Sequence, residues 1–171
     1  LQSDINYNNG DYISPPKKGL KAFSRNYTST LFDKEGYEEG LHLNLFDGFE
    51  DTESYLDYMD AFFGSVDAND LLGMLNTWQM GDIGKHQKFN NNTKEALANI
   101  NCPALVMPSS TDLSFPARNN IPEVNEMSEA ELVVINTKHG HLAGGMSTAL
   151  TSQEDVTFID KNIKEFLKKI A

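Results

Sequence analysis

The chain has 171 residues, 39% hydrophobic and 10% aromatic, which is enough apolar material for one ordinary core. A formal net charge of −11 and a pI near 4.7 argue against nucleic acid or an anionic membrane surface as partner, since both require clustered Lys and Arg. No run approaches the roughly 18 apolar residues of a membrane span and no charged-then-apolar leader resembles a signal peptide, so a cytoplasmic protein is the expectation.

Residues 1 to 16 are turn-rich, with Asn8-Asn9-Gly10 near the middle and Pro15-Pro16 at the close, and read as a connection from a core. Leu20, Phe23, Tyr27 and Leu31 then recur at three- and four-residue steps, which predicts an amphipathic helix with Lys17, Lys18, Lys21 and Arg25 toward solvent or a cleft. Tyr55, Met59, Phe62 and Phe63 predict a second helix capped by Thr52 and ended by Gly64. A third, carrying Leu71, Leu72, Leu75 and Trp78, starts at Asp67 or Asn69. Asn90-Asn91-Asn92 is a loop, after which Thr93 caps a short helix. Residues 17 to 94 are thus all helix and loop, and are expected to form a helical lid or cap.

Residues 95 to 171 change pattern. Ala104-Leu105-Val106-Met107, between Pro103 and Pro108, predicts a parallel strand covered on both faces, with Cys102 a small core residue beside it. Pro116 to Met127 fits a short helix whose extent Pro122 leaves open, and Leu132-Val133-Val134-Ile135 is a second strand running into His139-Gly140-His141. The C-terminal helix has Ser152 and Asp155 as a capping-box-like start. Its apolar stripe is Val156, Ile159, Ile163, Phe166 or Leu167, and Ile170, with Lys168 and Lys169 at the negative dipole end. Two parallel strands cannot bury both faces of a sheet, and the sequence opens on Leu1 without an initiator Met. The expectation is therefore a fragment whose strands join a sheet supplied by a missing N-terminal half.

Asp112 follows the first strand and His141 the second, so the two can meet at the carboxyl edge of the sheet, where open α/β folds place their sites. The order Asp then His is that of the last two triad members in α/β-hydrolases. An i, i+2 histidine pair also suggests a metal, but Cys102, His42 and His86 show no ligand-like spacing to it and no metal site is expected.

With those residues in view, the chain resembles the C-terminal part of the homoserine O-acetyltransferase-like branch of the α/β-hydrolase superfamily. The likeness is carried by Asn9-Gly10-Asp11-Tyr12 with Pro16 and Gly19-Leu20, by Ser54-Tyr55-Leu56 and Val66 to Leu72, and by Thr77-Trp78-Gln79 through Gly81-Asp82-Ile83. Thr111-Asp112-Leu113-Ser114-Phe115-Pro116 and Gly140-His141 with Ala143-Gly144 complete it. The resemblance implies the C-terminal portion of an α/β-hydrolase fold, its last parallel strands and helices, with a helical lid insertion. It implies a Ser-Asp-His triad in which Asp112 is the acid, His141 the base and His139 a flanking residue. No Gly-x-Ser-x-Gly occurs in the sequence, so the nucleophile is expected upstream. Asp82, Trp78 and Arg25 are the lid residues expected to meet substrate. The implied reaction is acyl transfer from acyl-CoA, such as acetyl-CoA, to an alcohol, with acyl-CoA as co-substrate and no bound cofactor. Hydrolysis, or a non-catalytic binding role, is the alternative. Gln79-Met80-Gly81 departs from the His-Asp signature of the homoserine enzymes, so the acceptor is open. The partners implied are the acyl donor, the alcohol, the missing half of the protein and a possible homodimer.

Overall fold

A computed structural model describes residues 1–46, 48–145 and 152–171. In it β1 (Ala104–Val106) pairs in parallel with β2 (Ala130–Leu132), Ala104 opposite Ala130 and Val106 opposite Leu132. The second strand therefore starts two residues before the Leu132–Ile135 run. Beyond Leu132 the ladder is interrupted: Val133 N–H donates to Val106 O but Pro108 has no N–H to return a bond, and the pairing resumes at Ile135, whose N–H donates to Pro108 O and whose carbonyl accepts Ser110 N–H. An isolated parallel bridge, Ser109 to Ile135, closes the pairing. All six strand residues are half-buried, so among the described residues β1 is not covered on both faces as its apolar run predicts. Cys102 is exposed and no core residue, since it sits in the turn that Pro103 forces ahead of β1.

Contacts divide the chain into two compact units. One comprises Leu1–Ser29 and Phe49–Gly81, the other Thr30–Gly48 and Asp82–Ala171. Residues 30–48, which the sequence groups with the helical block 17–94, thus belong with the strands.

In the first unit α1 (Lys17–Thr28) packs on α3 (Thr52–Gly64), and α4 (Ala68–Met80) completes the helices. Leu20, Tyr55, Met59, Phe63 and Leu71 are buried. The rings of Phe23, Tyr27 and Phe63 meet with centroids 5.1–5.7 Å apart, Phe23 stacked on Tyr27 and Phe63 edge-on to both, and such pairs contribute about 0.5–1.5 kcal/mol each beyond area burial. Asp51, one residue before the expected Thr52, is the N-cap of α3. Its side chain accepts from Ser54 N–H while the Ser54 hydroxyl reaches back to Asp51 N–H. Asp67 caps α4, and Tyr12 ties the N-terminal segment to it, its hydroxyl 2.7 Å from Asp67 Oδ2.

The second unit holds α2 (Lys34–Glu38), α5 (Thr93–Ala98), α6 (Ala117–Glu126) and α7 (Gln153–Ile170) beside the strands. Asn92 caps α5 in place of Thr93, and Asn90 and Asn91 take left-handed backbones in the loop before it. Pro122 lies inside α6. On α7 the apolar stripe is largely open, with Ile163, Leu167 and Ile170 each more than 40% exposed. Among the described residues no helix is long and apolar enough to cross a membrane.

Gly36 of α2 lies against the carbonyl of Lys138, where an added Cβ would come within 2.4 Å of the oxygen. Gly36→Ala is accordingly expected to destabilise this unit by about 1–3 kcal/mol. The check is a lower urea midpoint at unchanged m-value. A wild-type midpoint would mean that the α2 contact is loose.

Candidate active site

Asp112 and His141 reach each other from loops at the carboxyl ends of the two strands. Asp112 Oδ1 accepts the backbone N–H groups of Ser114 at 2.7 Å and Phe115 at 2.9 Å, a turn that fixes the carboxylate plane. The other oxygen, Oδ2, lies 3.0 Å from His141 Nδ1. A carboxylate can only accept, so the shared proton rides on Nδ1 and Nε2 is the basic nitrogen. The Asp112 side chain is 10% exposed and that of His141 21%, which shelters the pair and leaves the imidazole approachable. The Phe115 ring stands 5.5 Å from the imidazole at 33° to it.

The position of His141 is set largely through backbone. It is the middle residue of a short 3₁₀ turn, Gly140–Leu142, and its N–H donates to Leu31 O at 2.8 Å. Gly140 has φ +55° and its ideal Cβ would lie 2.5 Å from that same Leu31 carbonyl oxygen, so glycine alone fits. Gly140 N–H donates to Thr111 Oγ1 at 3.2 Å, and the Thr111 hydroxyl donates to Thr137 O at 2.8 Å, tying the two loops together just behind the pair. Lys138 extends the other way to Glu39 and Glu35, whose hydrogen bonds, Glu39 first, raise its pKa. Residues 30–48 therefore act as a bracket for the His141 loop.

The other expected site residues are placed differently. Asp82 Oδ1 accepts Gly84 N–H at 2.8 Å and the Thr93 hydroxyl at 2.9 Å, and these bonds, the backbone one first, lower its pKa. It acts as a cap for the 3₁₀ turn Ile83–Lys85. Arg25, in the first unit, gives Nε and Nη2 to Asp60 Oδ2 at 2.9 and 2.8 Å and Nη2 to Glu53 at 3.1 Å. Its charge is already matched by acidic side chains. Trp78, in the same unit, is 54% exposed and borders an apolar hollow of about 260 Å³ with Phe23, Tyr27, Phe62, Phe63 and Met74. Among the described residues no three His, Cys, Asp or Glu side chains converge as metal ligands. Thr111, Thr137, Leu31 and Asp155 were not singled out by the sequence for the site. Thr111 beside Asp112 and Thr137 near His139 were the available signals, whereas the contact of Leu31 with His141 is made by main chain and leaves no side-chain mark.

No family model matches the sequence. Among curated proteins, the chain is 32% identical to a probable esterase of Corynebacterium glutamicum over 171 residues, covering 98% of the chain and 47% of that protein. It is 30% identical to an ethyl acetate hydrolase of Pseudomonas veronii over 125 residues, 72% of the chain and 35% of the relative. It is 28% identical to a homoserine O-succinyltransferase of Saccharophagus degradans over 167 residues, 82% of the chain and 41% of the relative. Among solved structures, an acetylester hydrolase from Corynebacterium glutamicum superposes with TM-score 0.83 at 31% identity, over 98% of the chain and 47% of that protein. The chain thus spans about half the length, or less, of the relatives it matches. These likenesses fit a portion of an α/β-hydrolase-type esterase or acyltransferase.

Proposed function

We propose that this chain is the C-terminal part of a serine esterase acting on small acyl esters, with His141 as general base and Asp112 as its orienting acid. The observation that carries the reading is the 3.0 Å contact between His141 Nδ1 and an Asp112 carboxylate held by two backbone N–H groups at the strand ends. In this reading a serine from a segment outside the 171 residues attacks the ester carbonyl. Its hydroxyl proton passes to His141 Nε2, the acyl–oxygen bond breaks, and the proton is handed to the departing alcoholate. Water then repeats the sequence, giving its proton to Nε2 and leaving the free acid and the serine restored. Asp112 keeps the proton of the neutral imidazole on Nδ1 and stabilises the imidazolium of each half-reaction. The helices α1, α3 and α4 of the first unit are in this reading the lid, which Trp78 and Arg25 support structurally, while Asp82 holds its own turn in the other unit.

The expectation from sequence put transfer to an alcohol first. The order is reversed here because the relatives at 30% identity or more are esterases. The second reading, acyl transfer from acyl-CoA to an alcohol, is favoured by the likeness to the homoserine O-succinyltransferase at 28%. The full-length protein is expected to hydrolyse a small acetyl ester and to take a fluorophosphonate label on one serine. The absence of both ester turnover and a label would overturn the enzyme reading. Coenzyme A released from acetyl-CoA only when an alcohol is added would move the assignment to the transferase.

A further inference from the structure

We propose that Asp155 is a positioning residue for His141, acting through Thr137 and His139. The proposal rests on the reading of His141 as the base. Behind the loop that presents His141 lies a second, fully enclosed His–Asp contact: Thr137, His139 and Asp155 are 9%, 7% and 5% exposed. Asp155 sits in the first turn of α7, where Ser152 Oγ accepts its N–H at 3.2 Å and the helix dipole favours a negative charge. The capping-box expectation would send its carboxylate back along the helix. It goes instead to Thr137, whose hydroxyl donates to Oδ2 at 2.6 Å across 18 residues of sequence.

The protons of this cluster can be assigned by counting. The Thr137 hydroxyl has one proton and gives it to Asp155, and its oxygen accepts His139 N–H at 3.2 Å. His139 Nδ1 is 3.0 Å from that oxygen and 3.3 Å from Asp155 Oδ2, both acceptors toward it, so Nδ1 carries a hydrogen. One carboxylate thereby fixes the Thr137 rotamer, the His139 tautomer and the backbone N–H of His139. The next two residues are Gly140 and His141.

His139 is not a second base, because its Nε2 is buried and has no hydrogen-bond partner among the described residues. Substrate cannot reach it, and an apolar ring would fill the space without an orphaned nitrogen. What the imidazole adds over such a ring is the Nδ1 link to Thr137 and Asp155. The Leu31 carbonyl restrains the loop on one side and the Asp155 cluster anchors its start. Loss of either lets the imidazole of His141 shift against Asp112, and displacements of about 1 Å cost up to about 10²-fold in rate.

The test uses the full-length protein and a small acetyl ester, with rates expressed per site titrated to completion by fluorophosphonate and measured well below the melting temperature of each variant. Asp155→Asn and Thr137→Val are expected to lower kcat by about 10–100-fold with KM within about twofold. Thr137→Ser, which restores the hydroxyl, is expected to return kcat to within about threefold of wild type. A purely structural role would reduce the number of titratable sites and leave kcat per site unchanged, and that result overturns the proposal. If Asp155→Asn does not fold, the Thr137→Val and Thr137→Ser pair decides the matter. His141→Ala measured alongside separates the two claims. Inactive His141→Ala with unaffected Thr137→Val defeats positioning alone, whereas active His141→Ala defeats the base assignment on which it rests.

Discussion

Replacing His141 by alanine is expected to lower kcat for ester hydrolysis by roughly 10⁴–10⁶-fold in the full-length protein. The size follows from the part the residue plays: without a base at that position neither the serine nor the water can lose its proton in step with attack. The change should be catalytic and not a failure of folding, because the side chain is 21% exposed and the loop is held by main-chain bonds to Leu31 and Thr111 that alanine keeps. Asp112 loses one donor but retains Ser114 and Phe115, so a stability loss of about 1 kcal/mol is the expectation. The measurements are steady-state kinetics and thermal melting of the same preparation. Turnover within tenfold of wild type would remove His141 from the mechanism.

The second large effect is expected from Asp112→Asn, at about 10⁴-fold in kcat. Asparagine is nearly isosteric and its carbonyl oxygen still accepts from Ser114 and Phe115, so the loop is preserved. What changes is the atom facing His141 Nδ1. An amide nitrogen there donates, which forces the ring into the tautomer with hydrogen on Nε2 and leaves no lone pair where a serine or water needs it. Stability should change by less than about 1 kcal/mol. A kcat within tenfold of wild type would mean that Asp112 only closes its own turn.

The meeting of Asp112 and His141 was legible because each follows an apolar run, and parallel strands joined by a helix bring their carboxyl ends to one edge. The start of the second strand was less so. Hydrophobicity marks Leu132–Ile135, but the ladder is set by which N–H and C=O groups face each other, and Pro108 removes a donor opposite that run. Arg25 and Asp82 illustrate another limit. A charged residue in a helical stretch looks available to a ligand until its neighbours are known, and Asp60, Glu53, Gly84 and Thr93 are the neighbours here. The role of Asp155 was hidden for a related reason. Capping chemistry accounts for an Asp in the first turn of α7, so nothing in the local pattern points to Thr137.

The alternation of the chain between its two units bears on how it is made. Residues 30–48 emerge from the ribosome well before the strands and the histidine loop they brace, and the Lys138 to Glu39 contact spans 99 residues. At synthesis rates of roughly 5–20 residues per second, that separation corresponds to a wait on the order of 5–20 s. During it, Leu31, Phe32 and His42, all buried in the finished unit, have no strand-bearing partner to fold against. The helices of Leu1–Ser29 and Phe49–Gly81 can condense in that interval, because their contacts close over shorter stretches of chain. Assembly of the nascent chain should therefore run out of sequence order, with the earlier-made bracket left as a loop until the last third of the polypeptide arrives to capture it.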